Sequence, residues 1–233
     1  MVRRMYTALF YLQTVIQIAL LVWLLQVRRA TGAAAATVLL VPQMGLVYDN
    51  LIVALGSSVG LGSTLQALSW PRFWIHWLFG AWMIIASGSI LRLAGFQWAR
   101  TRVAMASFCL LTVALMAYDL PLFWKSHLYA VCEKGLVRYS VAVAADKFCL
   151  PDQFVVRSVF PLAAITTCIV VIIVGIELLR RRRFPWMAAG GVLMFISATP
   201  FIANLKLDNF GEVFIAGGCI WAVAHFAKLR DSG

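Results

Sequence analysis

Asp49 and Glu212 each stand inside apolar sequence, Asp49 in VPQMGLVYDNLIVALG and Glu212 in LDNFGEVFIAGGCIW. An ionisable group in a lipid-spanning helix is costly, so it faces the bundle interior or a water-filled cavity and marks function. Low dielectric disfavours the charged form of a carboxyl, so an acid buried without a counter-charge keeps its proton near neutrality. Such an acid can deliver that proton to an alkene or epoxide as a general acid. Aromatic faces then stabilise the resulting cation by roughly 0.5–2 kcal/mol each. Phe, Trp and Tyr make up 13% of the chain and supply such faces. The bilayer brings the apolar substrate and excludes water.

Other chemistries find less in the sequence. The three histidines, His76, His127 and His225, fall on three separate segments, with no HxxH, HxxxH or HExxH spacing. Histidine-rich di-iron and zinc-protease sites therefore have no ligand set. No GxSxG is present, and GSSVG is too generic to count as a nucleophile motif. No DDxxD-like run offers clustered carboxylates for magnesium and diphosphate, which argues against prenyl transfer and ionisation-initiated cyclisation. The expectation is a site with no metal and no cofactor. Cys109, Cys168 and Cys219 lie in apolar runs and read as packing residues. Cys132 and Cys149 share one polar loop, where a disulfide fits if that loop is extracytoplasmic.

The elements that carry these residues follow from hydropathy. The chain is 63% hydrophobic over 233 residues, more than a water-soluble fold of that length can hide. Its charged residues, 12% of the total, cluster between the apolar runs. We expect an all-α membrane protein, a single transmembrane helical domain over 1–233. About seven spans in one bundle are long enough to cross, at about 6–27, 33–55, 73–95, 103–123, 154–179, 185–203 and 209–227. The stretch 56–71, rich in Gly and Ser, reads as a loop, an interfacial helix or a re-entrant piece. The first apolar run ends in Arg28 and Arg29 rather than at a small-residue cleavage site, so it reads as a retained helix and not a signal peptide. The net charge of +11 reflects loop lysines and arginines, with no basic aromatic stripe to bind nucleic acid. One set of loops holds 11 basic residues (Arg28, Arg29, Arg92, Arg100, Arg102, Arg180 to Arg183, Lys228, Arg230). The other side holds 9, of which 4 share one long loop that counts for less. This places the N-terminus outside and the C-terminus in the cytoplasm.

Alternation of the spans then gathers polar residues at one level. Asp49, His76, Tyr118, Asp119, Arg157, Asn204, Asp208, Asn209 and Glu212 should lie within about two helical turns of one another in depth. Pro42, Gly45, Asp49 and Gly56 share one face of the second span, where small residues let another helix or a ligand approach. Thr112, Met116 and Asp119 line up on the fourth, and Asp208 and Glu212 share a face on the last. Simpler readings stand beside these. Trp70, Trp74 and Trp124 suit interfacial anchors. Asp119 and Asp208 suit helix ends in water, and His76 suits packing. Arg157 could pair with Asp152, or form a structural pair with Asp49. Glu177 suits pairing with the adjacent arginines, and carries no expected function.

In length, span number and layout the chain resembles the small integral-membrane terpene cyclases of meroterpenoid and indole-sesquiterpenoid biosynthesis. The positions that carry the resemblance are Asp49 within VYDN and Glu212 or Asp208 within LDNFGEVF. The resemblance implies a metal-independent enzyme that cyclises the polyprenyl chain of a prenylated acceptor, or its epoxide, by protonation. Asp49 would be the general acid, tuned by Tyr48, His76 or Tyr118. Glu212 and Asp208 would assist protonation or take the terminating proton. Trp74, Trp77, Phe210 and Phe214 would form the cation wall. An upstream prenyltransferase and epoxidase would supply the substrate. The alternative is a lipid- or isoprenoid-binding protein, or a proton-coupled transporter, built on the same acids. A third reading, hydrolysis of a lipid ether or ester, would use Asp49, His76 and Glu212.

Overall fold

The computed structural model describes residues 2–124, 126–133, 135–141, 149, 161–198 and 209–231, with the backbone alone at 2–6, 76–79, 122 and 123. Helices dominate them. The helices are α1 (Val2–Thr31), α2 (Ala34–Val59), α3 (Ser63–Gly80), α4 (Trp82–Leu93), α5 (Arg102–Trp124), α6 (Leu162–Arg182), α7 (Trp186–Ser197) and α8 (Phe210–Asp231). Five of them, α1, α2, α5, α6 and α8, contain stretches long and apolar enough to cross a membrane. They carry Val15, Val22, Val103, Leu110, Val113 and Ile173 on exposed faces, which suits lipid as solvent. The fold is the all-α membrane bundle expected.

One of the seven expected spans takes a different form, and another is described only in part. The third, 73–95, is divided at Ala81 between α3 and α4. The sixth is represented by α7, 12 residues long, with the rest of it outside the described residues. The stretch 56–71 is mostly helical. It forms the last turn of α2, a turn at Gly60 (φ +78°), and the first half of α3, with Pro71 inside the helix. Glycine, serine and proline read locally as breakers, but here the α2–α3 packing overrides local preference.

Tight helix contacts come from glycine. A Cβ on Gly175 would meet the Ala188 backbone, one on Gly190 the Phe214 carbonyl, and one on Gly218 the Trp186 carbonyl. Without a hydrophobic drive between helices in lipid, this close backbone approach is a main source of cohesion among α6, α7 and α8. Gly190→Leu is expected to overpack that seam and cost at least about 1–3 kcal/mol. Thermal unfolding in detergent measures it, and an unchanged midpoint would remove the seam from the account.

The apolar core fills the half of the bundle at the α1–α2 turn, with Leu24, Ala33, Leu39, Met83, Ile90, Leu178, Met187, Ile220 and Phe226. Arg28, Arg29, Arg92 and Arg180 to Arg182, in the last turns of α1, α4 and α6, lie at this end. Arg230 donates to the Thr31 carbonyl at 2.7 Å, and Arg181 pairs with Glu177 at 3.4 Å, as expected for Glu177.

The opposite end is capped by a β-hairpin, β1 (Tyr129–Glu133) with β2 (Leu136–Ser140), antiparallel with Val131 opposite Arg138. Cys132 is bonded to Cys149, closing the disulfide that the sequence left open. The hairpin sits on the end of α2. The Ser57 hydroxyl donates to the Gly135 carbonyl at 2.8 Å and accepts from Val137 N at 3.3 Å. Gly56 leaves room for the Val137 carbonyl. With the two cysteines 17 positions apart in sequence, Cys149→Ser is expected to cost about 2–4 kcal/mol. Unfolding with and without reductant tests this: reductant should lower the parent to the variant's midpoint and leave the variant unchanged.

Candidate functional site

The buried polar groups meet beneath the hairpin, at the level where α2 ends and α8 begins. Asp49 and Asn50 are consecutive on α2, so their side chains leave the helix about 100° apart. Each reaches a different neighbour.

Asp49 faces α3. Arg72 Nε donates to Asp49 Oδ1 at 2.9 Å, and both residues are buried, at 7% and 5% exposure. Arg72 also donates from a terminal nitrogen to the Tyr139 carbonyl of β2 at 3.3 Å, and its guanidinium lies over the Phe73 ring at 5.2 Å. One arginine thus ties α2, α3 and the hairpin together. The expected face of α2 is real: Gly45 packs on Ile75, Asp49 on Arg72 and Gly56 on the hairpin. Tyr48 closes this side, its hydroxyl donating to the Leu68 carbonyl at 2.9 Å.

Asn50 faces α8. It is fully buried, and its Nδ2 donates to Glu212 Oε2 at 3.1 Å and to the Leu46 carbonyl at 2.9 Å. Its Oδ1 accepts from Asn209 Nδ2 at 3.3 Å. Glu212 is buried and lies in the first turn of α8. The carboxyls from positions 49 and 212 are therefore brought to adjacent flanks of one helix.

Asp49 has its structural partner in Arg72; the alternative pairing with Arg157 falls outside the described residues. Arg72 is a buried residue of α3. Asp208, Arg157, Asn204 and Asp152 lie outside the described residues, as do the side chains of His76 and Trp77. Trp74 meets Trp124 edge-on at 6.3 Å, and Trp124 is largely exposed, which fits a boundary aromatic pair. Asp119 is buried on α5. Thr112, one face with it, donates to the Ala81 carbonyl at 3.2 Å, and Met116 packs against the cluster of Ala81, Ile84 and Leu115. Tyr118 and Phe214 are 45% and 43% exposed. Phe210 is half-buried at the start of α8.

Asn209, expected at this level, joins the site, and Asn50 and Arg72 complete it without having been expected there. The signals were present: an amide directly after the acid in YDN, and a single arginine between aromatics in WPRFW. Chemically the assembly offers one carboxylate neutralised by a guanidinium and a second carboxyl held by an amide. Among the described residues no three His, Cys, Asp or Glu side chains come together to hold a metal ion. Comparison of the chain with protein-family models, curated proteins and solved structures gives no match.

Proposed function

We propose that the protein is a membrane-embedded, metal-independent terpene cyclase that starts cyclisation of a prenylated acceptor, or its epoxide, by protonation. The observation that carries the proposal is the convergence of Asp49, Asn50, Arg72, Asn209 and Glu212 from three helices into one buried layer. Asp49 is engaged with a guanidinium, so it serves as acceptor and positioning group. The proton donor is then Glu212. Protonation of the alkene or epoxide would generate a tertiary cation. A neighbouring alkene closes the ring with its π electrons, and loss of a proton from the final cation gives an isomer of the substrate. Asp49, paired with Arg72, would contribute a fixed negative end on which the passing cation is steered.

The same reading sets the membrane orientation. A disulfide persists in an oxidising compartment, so the hairpin with Cys132–Cys149 would face outside. The basic end, with Arg28, Arg92 and Arg180 to Arg183, would face the cytoplasm, as short basic loops do. Both arguments put the N-terminus outside.

The test is incubation of membranes bearing the protein with farnesylated and geranylgeranylated aromatic acceptors, with and without a terminal epoxide. A product of unchanged mass and new retention, formed equally with EDTA, is expected. Absence of product from every acceptor by a protein that is folded would end the reading. The second reading, a proton-coupled carrier, is favoured by the buried Asp49–Arg72 pair, which a transported proton could open. It would show pH-dependent flux in vesicles and no new product.

A further inference from the structure

Two glutamines of α1, Gln13 and Gln17, are 2% and 0% exposed, within a stretch long and apolar enough to cross the membrane. They are one turn apart on one helix face. Gln43 of α2 reaches across to them: its Nε2 donates to the Gln17 backbone carbonyl at 2.9 Å and to Gln17 Oε1 at 2.8 Å. A backbone carbonyl only accepts, so the first bond fixes which end of the Gln43 amide is the donor. That in turn makes Gln17 Oε1 the acceptor and leaves Gln17 Nε2 as a free donor. Among the described residues, Gln17 Nε2 and Gln13 Oε1 are buried side-chain atoms without a hydrogen-bond partner. The neighbouring Thr14 hydroxyl is already committed to the Phe10 carbonyl at 2.8 Å.

A buried donor and a buried acceptor, each unmatched at membrane depth, are costly. A group that both donates and accepts resolves both at once, and a buried water does so, typically making about three hydrogen bonds. We propose that Gln13 and Gln17 hold a water molecule between α1 and α2. Its depth follows from the antiparallel pairing of Gln17 with Gln43. Toward the hairpin, Gln13 lies about 6 Å farther along α1 and Asn50 about 10 Å farther along α2. The water would thus sit between the glutamine layer and the Asn50–Glu212 pair, extending the polar interior down from the hairpin to the apolar core. This holds whatever reaction the chain performs.

Infrared difference spectra of the purified protein, without substrate, in ordinary and oxygen-18 water test the site. The parent should show an isotope-shifted O–H band of a strongly hydrogen-bonded internal water, and Gln13→Met should lose it. That variant keeps the side-chain length, so its midpoint should fall by about 2–4 °C from the lost contacts alone. A parent with no isotope-sensitive band overturns the proposal, even if the variant fails to fold. A band that survives Gln13→Met overturns it too, as does a variant as stable as or more stable than the parent, which marks a dry interface relieved of a polar group. A direct Gln13–Gln17 bond would lower stability on substitution but give no isotope-sensitive band.

Discussion

Replacement of Arg72 by Met is expected to destabilise the protein by about 3–5 kcal/mol, because it leaves the Asp49 carboxylate buried and uncompensated. The same loss is expected for Asp49→Leu, which strands the guanidinium. The double variant, Asp49→Leu with Arg72→Met, should recover most of it, since apolar residues in place of a buried ion pair are often neutral or better. The coupling read from this cycle isolates the pair from its surroundings. Thermal unfolding in a fixed detergent measures all four proteins. If the two single losses simply add in the double variant, the 2.9 Å contact is not an energetic unit. The cycle also bears on Asp49→Asn, which would remove a charge from the pair and strain the bundle. Lost activity in that variant would not by itself identify a proton donor.

Glu212→Gln gives the cleaner test of chemistry. Gln keeps an oxygen to accept from Asn50 Nδ2, now at 3.1 Å, and removes the titratable proton. Under the proposed mechanism, formation of the cyclised product is expected to fall by about 10²–10⁴-fold, the usual worth of a general acid. The unfolding midpoint should change little. Glu212→Asp should retain part of the activity, as the acid survives but is withdrawn by one methylene. Parental turnover in folded Glu212→Gln would remove the acid from the mechanism and leave Asp49 or Asp119 to be examined. Asn50→Leu, which removes the amide and keeps the bulk, should lower turnover through Glu212 orientation. The conservative Asn50→Gln should restore some of it.

The bundle itself was legible in the sequence because transfer to lipid acts residue by residue. Long apolar runs separated by charges have one solution, and five long apolar helices follow from it. The α2 face of Pro42, Gly45, Asp49 and Gly56 was legible for a related reason, since a 3.6-residue period fixes which residues share a side. Asp49 and Glu212 stood out because a carboxyl has no cheap place in such a run. What Arg72 does was not legible. Its neighbourhood, with Pro71 beside it and 56–71 rich in small residues, signals a chain break, and charge in a break reads as solvated. Asn50 carries only a weak signal, its place directly after the acid in YDN, because an uncharged amide in a long apolar run perturbs hydropathy little. The exposure of Tyr118 and Phe214 was equally hidden, since an aromatic residue suits a chamber wall and a lipid-facing surface alike.

The sequence by itself determined that this chain must live in a bilayer as helices, and that two acids from its distant ends must turn inward. Both consequences come from the free energy of single groups leaving water, which needs no knowledge of neighbours. Tertiary structure alone decided who meets whom: Arg72 at Asp49, Asn50 at Glu212, the stapled hairpin over α2. Partner choice is a property of pairs, set by how helices far apart in the chain rotate and cross, and no local pattern encodes it.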